Sequence, residues 1–434
     1  QTVLSFAFHL RAISVSNKER FLGWRMVLVA FFVDFIAVGF FFYSYGVFFK
    51  AIAEDFGDGR LGVALGMTVT HAVGAVVAPL VGRALDRFPL RLVIGVGCLS
   101  MAIGFLLLSQ VEHEWQFYLV LGLFIGFGAS SMGNLATSKL VTNWFDKRRS
   151  TALGIAAAGV SLSGLVMPYV TAELIQLYDW RTGFLIYGFF TLLIVLPLVL
   201  RFVISKPEDV GLRPDGALLL TLDPDAEASA PPPRISMREV LRQSNFWIIA
   251  LTFGLLFCCM SSTLTHMIPR ITDLGISLVD ASLVMSLCAG FGVCGKLGFG
   301  WLGDRLPLRR VMWLVITLQF SGQAVMFSSS EMLSFACGAM LFGLGVGGVV
   351  PMNGNIVGST FGRERFGAVL GALRPAMFPI QILGVPFAGW IFDETGSYDI
   401  AFQVFLCLYV MAAIVVAFYR QPSVQVDLAH KQTA

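Results

Sequence analysis

Three ionisable residues, Asp34, Lys296 and Arg374, stand inside long apolar stretches of the sequence. An ionised side chain in a bilayer is energetically costly, so each of them is a candidate for function. A fixed cation in a poorly hydrated cavity attracts anions strongly, because the local dielectric constant is low. Lys296 would make a point contact with an anion, whereas Arg374 could grip a carboxylate through two parallel hydrogen bonds. These residues predict a binding site for a small organic anion.

The three charges share one depth in the membrane. A helix rises about 1.5 Å per residue, and counting from the nearest flanking charge places Asp34, Lys296 and Arg374 roughly 12 to 13 Å deep. Two cations against one acid leave one positive charge, which one carboxylate would neutralise. Asp34 could carry a coupled proton, or it could be only a static counter-ion, and both interpretations stay open.

Two histidines and a further lysine also lie in the apolar stretches. His71 is roughly 22 Å from the nearest charged end, above the layer of the three charges. It could relay protons near neutral pH, or it could hydrogen-bond between packed helices. His266 lies close to Pro269 and Arg270, where an outer-gate role is one hypothesis. Lys139 is close to a charged loop, and we expect its amine to snorkel to the interface.

The apolar stretches have the length that would hold these residues in a bilayer. A spanning helix needs about 20 mostly apolar residues. The sequence is 56% hydrophobic and 13% charged, and a soluble domain carries roughly a quarter charged residues. We therefore predict an all-α membrane protein with twelve transmembrane helices, at 25–49, 62–82, 91–109, 116–138, 151–174, 182–203, 245–268, 280–302, 311–328, 332–358, 367–391 and 401–419.

One interruption between these stretches is much longer than the others. Residues 204–243 contain Pro231, Pro232 and Pro233 with several acids, which is typical of a polar, poorly ordered linker. The sequence thus predicts a cytoplasmic N-terminal segment (1–24), a six-helix bundle (25–203), a cytoplasmic linker (204–243), a second six-helix bundle (244–420) and a cytoplasmic tail (421–434).

The distribution of basic residues predicts the orientation. Most lysines and arginines between the apolar stretches fall in alternate loops, and the intervening loops hold only Lys50, Arg60, Arg181 and Arg270. Because cytoplasmic loops carry the excess of lysine and arginine, we expect both termini to be cytoplasmic. The expected location is the plasma (inner) membrane.

An internal repeat connects the two predicted bundles. Residues 82–91 and 300–309 share the pattern Gly-x-x-x-Asp-Arg-x-x-x-Arg, and the offset between Gly82 and Gly300 recurs at every matched residue. Residues 144–154 and 361–371 echo each other at nearly the same offset. Two echoes at a common offset indicate a duplicated six-helix unit.

The repeated pattern resembles the loop signature of the major facilitator superfamily. The resemblance implies the major facilitator fold, two pseudo-symmetric six-helix bundles. It also implies a cytoplasmic gate, formed by Asp86, Arg87, Asp304 and Arg305, in which a carboxylate at a helix end pairs with an arginine across the halves. The alternative is that these residues only line solvated loops. In this superfamily spans 1, 4 and 10 line the cavity, so that Tyr43, Asn134 and Asn355 are candidate hydrogen-bond donors to a substrate.

Shorter segments narrow the resemblance to one branch. Gly23-Trp24-Arg25 and the run 144–149 are similar to the monocarboxylate transporters, and 207–216 and 388–398 resemble bacterial members and the oxalate/formate antiporters. In that branch a carboxylate-binding arginine occupies the position of Lys296, and the antiporters carry a lysine one turn after Arg374. The branch also has an aspartate at the position of Gly292, so this chain departs from its proton-coupling pattern.

The sequence therefore predicts a secondary active transporter of a small organic anion, a monocarboxylate moved with protons by alternating access. The alternative is an exchanger of dicarboxylates and monocarboxylates. A non-transporting membrane sensor is disfavoured, because 204–243 is too short and polar to be a signalling domain. The sequence shows no nucleophile–base set, metal cluster or phosphate loop, so we expect no enzyme, cofactor or metal. With a net charge of +3, nucleic acid is not an expected partner, and we expect a monomer in the lipid bilayer.

Overall fold

The computed structural model describes residues 21–56, 60–216, 237–328 and 331–420. Within these ranges twelve helices are long and apolar enough to cross a membrane. The prediction of an all-α protein with twelve transmembrane helices is thus confirmed. The chain divides into two compact units, Gln1–Ile235 and Ser236–Ala434.

The N-terminal unit contains helices α1 to α6. Three of these helices contain π-helical turns. They are α1 (Gly23–Val38, Gly39–Tyr43, Ser44–Phe56), α4 (Glu114–Val120, Leu121–Gly126, Phe127–Met132, Asn134–Trp144) and α6 (Trp180–Phe190, Thr191–Val195, Leu196–Phe202). The continuous helices are α2 (Arg60–Arg87), α3 (Leu90–Leu108) and α5 (Arg149–Leu177). A π-helical turn is rare and frequently lies at a functional site.

The C-terminal unit contains helices α7 to α12, preceded by the short helix Met237–Arg242. They are α7 (Ser244–Asp273), α8 (Leu278–Gly303), α9 (Leu308–Ser328), α10 (Met332–Phe361), α11 (Phe366–Thr395) and α12 (Asp399–Ala417). Large apolar side chains such as Leu28, Leu165 and Leu383 are exposed on the outside of the two units. A helix that bonds its own backbone groups and shows apolar side chains outward is suited to lipid.

Helix α4 is broken at Gly133, in the middle of the membrane-spanning segment. The backbone there is extended (φ −79°, ψ −155°), and the helix resumes at Asn134. A Cβ at this position would lie 2.6 Å from the carbonyl oxygen of Ala129, so a glycine is required. The 11-residue segment Asn134–Trp144 is named here the half-helix.

Helices α8 and α10 pack with their backbones in close approach. A Cβ at Gly347 on α10 would come within 2.7 Å of the backbone nitrogen of Lys296 on α8. Small residues allow helices in membranes to approach in this way. The contact fixes the backbone that carries Lys296.

The segment that follows α6 corrects one prediction. Residues 204–216, expected to be a poorly ordered linker, form two 3-10 turns, Pro207–Val210 and Pro214–Gly216. We call this segment the strap. Ser205 accepts a hydrogen bond from Leu90 N (2.8 Å), and Asp215 Oδ2 accepts from the backbone nitrogens of Asp146 (3.1 Å) and Lys147 (2.8 Å). Polar side chains of the strap, which suggest disorder in the sequence, thus form hydrogen bonds with the helices of the N-terminal unit. Residues 217–236 lie outside the described ranges.

Candidate functional site

Asp34 lies on α1 and is buried, with 1% of its surface exposed. The hydroxyl of Thr137, on the half-helix, donates to the carboxylate and lies 3.0 Å from each oxygen. Thr137 belongs to the first turn of the half-helix, where the aligned peptide dipoles favour a negative charge. Asp34 therefore lies in a polar environment that includes Thr137. The sequence analysis identified the acid but not the threonine.

Lys139 forms an ion pair that the sequence analysis did not predict. Its amine lies 2.8 Å from Asp86 Oδ1, and the two side chains are 3% and 11% exposed. Counting residues along α4 put Lys139 near a charged end, but it could not reveal that the end of α2 brings a carboxylate to the same place. Asp86, predicted to be part of a gate, is held by a lysine within its own unit, and the neighbouring Arg87 is exposed.

The other candidates of the N-terminal unit are Asn134, Tyr43 and His71, of which Asn134 lies on the same half-helix as Thr137. Asn134 is the first residue of the half-helix and is partly buried. Tyr43 ends the π-helical turn of α1, and its ring packs against the backbone of Gly164 on α5. His71 is exposed, and its Nδ1 lies 2.9 Å from the carbonyl oxygen of Met67, one turn earlier in α2.

Lys296 and Arg374 both belong to the C-terminal unit. Lys296 is buried on α8, with 8% exposed. Arg374 is partly buried on α11, directly before Pro375, one of three prolines inside that helix. Because a proline has no backbone N–H, one backbone hydrogen bond of the helix is missing next to Arg374.

Asn355 bonds to two groups of the C-terminal unit. It is buried, its Nδ2 donates to the carbonyl oxygen of Gly303 (3.1 Å), and its Oδ1 accepts from Ser359 (3.2 Å). The amide thus ties α10 to the end of α8 beside Asp304. Asn353, one half-turn earlier, is also buried, and its Oδ1 has no hydrogen-bond partner among the described residues.

Arg305 and His266 complete the set of candidates. The guanidinium of Arg305 stacks on the ring of Trp301, 3.9 Å from its centroid. At the other end of the unit, His266 Nε2 lies 3.1 Å from the carbonyl oxygen of Val385 and Nδ1 lies 3.3 Å from Tyr398 Oη. Burial and then the carboxylates of Asp273 and Asp393 raise the pKa of the Tyr398 hydroxyl. His266 therefore joins α7 to α11 and to the start of α12.

Comparison with known proteins decides the family. The model of the Major Facilitator Superfamily matches residues 27–377 and, in a second match, 295–433. The chain belongs to the Major Facilitator Superfamily. Its solved structural relatives include the human organic anion transporter MFSD10 (TETRAN), with a TM-score of 0.68, 16% identity and coverage of 92% of this chain and 99% of that one. A bacterial homologue of the iron transporter ferroportin gives a TM-score of 0.66 at 15% identity, covering 90% and 98% of the two chains.

Curated relatives within the superfamily are monocarboxylate transporters. Monocarboxylate transporter 13 of Rattus norvegicus is 26% identical over 384 residues, which cover 88% of this chain and 85% of that protein. Monocarboxylate transporter 11 of Homo sapiens is 27% identical over 406 residues, covering 88% and 79%. The resemblance drawn from short motifs is thus confirmed. This major facilitator protein is a multi-pass membrane transporter, not an enzyme.

Proposed function

We propose that the protein carries a small organic anion, a monocarboxylate, together with a proton by alternating access. The observation that carries this proposal is the burial of a carboxylate, Asp34, and a cation, Lys296, within membrane-spanning helices. Such groups are retained in membranes for function, because each is costly to bury. The relationship to monocarboxylate transporters supports the choice of substrate class.

In this proposal Lys296 and Arg374 bind the carboxylate of the substrate, and Asn134 and Tyr43 offer hydrogen bonds. Asp34 takes the proton, with His71 as the second candidate. Asp86, Arg87, Asp304 and Arg305 act at the cytoplasmic gate, and both termini lie in the cytoplasm of a monomer. Moving one proton with one carboxylate leaves the net charge transferred at zero, so the cycle does not work against the membrane potential.

The test is uptake of labelled monocarboxylates into proteoliposomes with an imposed proton gradient. We expect accumulation that collapses when a protonophore is added. A thermal-shift series with small monocarboxylates and dicarboxylates provides the binding arm, since stabilisation grows with ligand concentration relative to Kd. If no carboxylate stabilises the protein or enters the vesicles, the proposal is wrong.

Anion exchange is the second candidate. Two cations, Lys296 and Arg374, lie on helices of one unit, and together they could hold a dicarboxylate. Gly292 also stands where the monocarboxylate transporters have an acid. Exchange predicts uptake that persists with a protonophore and requires substrate inside the vesicle.

A further inference from the structure

The half-helix Asn134–Trp144 connects three other parts of the N-terminal unit. Every residue from 135 to 144 is buried, yet the segment is rich in polar side chains. Four of these side chains bond to other elements: Thr137 to Asp34 on α1, Lys139 to Asp86 on α2, and Asn143 and Trp144 to the carbonyl oxygens of Ser205 and Ile204 in the strap. The half-helix is therefore held by polar contacts from one end to the other.

The break at Gly133 separates this segment from the rest of α4. The carbonyl oxygen of Gly133 accepts from Ala136 N (2.9 Å) and Thr137 N (3.1 Å), which starts a new helix, while Gly133 N still bonds to Ala129 O (3.0 Å). Short helices that flank an interrupted backbone can change their angle as rigid bodies, with the few residues at the interruption absorbing the change. The half-helix meets that description.

Thr137 and Lys139 lie two residues apart and contact two different carboxylates. A hydrogen bond to an ionised acceptor is about twice as strong as one between neutral groups. Protonation of Asp34 would therefore weaken its bond with Thr137. The Lys139–Asp86 pair is buried, and the stability of a buried ion pair depends closely on its geometry. A small tilt of the half-helix would change both contacts at once.

We propose that the half-helix transmits the protonation state of Asp34 to the end of α2, with Thr137 as the positioning residue at one contact and the Lys139–Asp86 pair as the other. This inference rests on the proposed proton coupling at Asp34. Neither Thr137 nor Lys139 is needed to bind the substrate. Their role is to make the ion pair between Lys139 on α4 and Asp86 depend on whether Asp34 carries a proton.

Other charged groups near Asp34 define what the test must control. The helices packed against α1 within the unit are α2, α4, α5 and α6. The described acidic, basic and histidine side chains on these helices and on α1 itself, apart from Asp34, are Arg25, Asp55, His71, Arg83, Asp86, Arg87, Glu114, Lys139, Arg149, Glu173, Arg181 and Arg201. None of these is altered in the first arm of the experiment.

The first arm compares two threonines of the half-helix. Thr137 and Thr142 are both buried, and the Thr142 hydroxyl has no hydrogen-bond partner in the described part of the chain. Removing the hydroxyl from position 137 takes a donor from the ionised carboxylate. Without this donor the ionised carboxylate is less stable, so Asp34 should take up a proton at higher pH. Thr137→Val should therefore move the pH of half-maximal uptake upward by about one unit. Thr142→Val should leave it unchanged, and Thr137→Ser should restore it.

The second arm measures coupling between Asp34 and the end of α2. Leu85 is buried beside Asp86, so labelling of a Leu85→Cys reporter by an impermeant thiol reagent reports loosening of this end. The exposed Cys294, Cys337 and Cys407 are replaced by serine. Asp34→Asn should raise the labelling rate about fivefold. In a background carrying Asp86→Asn with Lys139→Gln, which removes the pair without leaving a lone charge, Asp34→Asn should add no further increase.

The outcomes separate this inference from the function on which it rests. If Asp34→Asn accumulates substrate normally in a proton gradient, the proposed proton coupling fails and the inference with it. If Asp34→Asn loses accumulation but the two valine variants have the same pH profile, only the inference is overturned. Independent effects of Asp34→Asn and of the neutralised pair on labelling would also overturn it, since separate sites act additively.

Discussion

At the scale of single residues, two of the lysines that the structure describes are buried, Lys139 and Lys296. Lys139 has a carboxylate at 2.8 Å, so it could not serve an anionic substrate without giving up this ion pair. Lys296 stands on a backbone fixed by Gly347, and we propose that it binds the substrate. Sequence alone ranked the two lysines by depth and could not place Asp86 beside Lys139.

Lys296→Ala should abolish binding of a monocarboxylate, and Lys296→Arg should keep a fraction of it. The carboxylate needs a positive charge at this position more than one particular geometry. The measurement is the substrate-dependent thermal shift together with the apparent affinity for uptake. Lys147→Ala, which removes an exposed lysine, is the control, and a normal affinity for Lys296→Ala would exclude this lysine from the site.

Asp34→Asn should bind substrate even at alkaline pH, because the amide mimics the protonated acid. The variant should exchange labelled substrate across the membrane but should not accumulate it in a proton gradient. Proton and anion that bind cooperatively with a coupling of 1–3 kcal/mol would change substrate affinity roughly 5- to 150-fold between the two protonation states. Normal accumulation by Asp34→Asn would make Asp34 a counter-ion and His71 the next residue to test.

At the scale of elements, sequence reasoning located the twelve helices but not their internal breaks. Hydropathy averaged over a span does not respond to a single glycine, so the interruption at Gly133 and the π-helical turns in α1, α4 and α6 passed unnoticed. The strap was missed for the opposite reason, since its prolines and acids are typical of disorder. The strap is ordered because of contacts that are distant in sequence. For example, the Asp215 carboxylate accepts hydrogen bonds from two backbone nitrogens of the α4–α5 turn.

Asp215→Ala should lower the thermal stability of the N-terminal unit. The substitution leaves the backbone nitrogens of Asp146 and Lys147 without their acceptor, at a cost of about 1 kcal/mol for a partly exposed group. Asp215→Asn should retain part of the stability, since its amide oxygen can still accept. Unfolding in detergent is the measurement, with Glu112→Ala, an exposed acid, as the control. Equal stability of Asp215→Ala and the parent would mean that the strap does not hold the α4–α5 turn.

Compared with Glu394→Gln, which changes an exposed acid, Asp86→Asn should destabilise the protein more. It leaves the ammonium group of Lys139 buried without its carboxylate, and breaking a buried pair costs about 3–5 kcal/mol. Adding Lys139→Met to the Asp86 variant should recover most of the loss, because an apolar side chain needs no counter-charge. The measurement is the melting temperature of each variant, and similar losses at Asp86 and Glu394 would argue against a special contribution from the pair.

At the scale of the whole molecule, the repeat found in the sequence corresponds to two compact units, each with six spanning helices. The family was predictable because its loop signature is carried by charged residues at helix ends, whose types do not depend on the substrate. The substrate site was less predictable. Asn355 was selected by its span alone, and the direction of its amide toward Gly303 depends on a neighbouring helix that the sequence does not place.

The distribution of basic residues predicts that both termini are cytoplasmic. A reporter fused after Ala434 that is active only in the cytoplasm should therefore be active, and one inserted in the α7–α8 turn at Gly275 should be inactive. The turn is suitable because Gly275 is exposed and has open space around it. The reverse pattern of reporter activity would invert the orientation and move the proposed gate to the outer face.

The buried pair between Lys139 and Asp86 also bears on how the duplicated halves can diverge. By the offset that relates Trp144 to Phe361, the counterpart of Lys139 is Ile356, which is buried and apolar, whereas Asp86 has Asp304 as its counterpart. In the second half an amide bonded to a main-chain oxygen fastens the corresponding helix end. Substitution of the ion pair in the first half must change two positions in concert. Among descendants of one ancestral gene, positions 86 and 139 should be inherited as a pair.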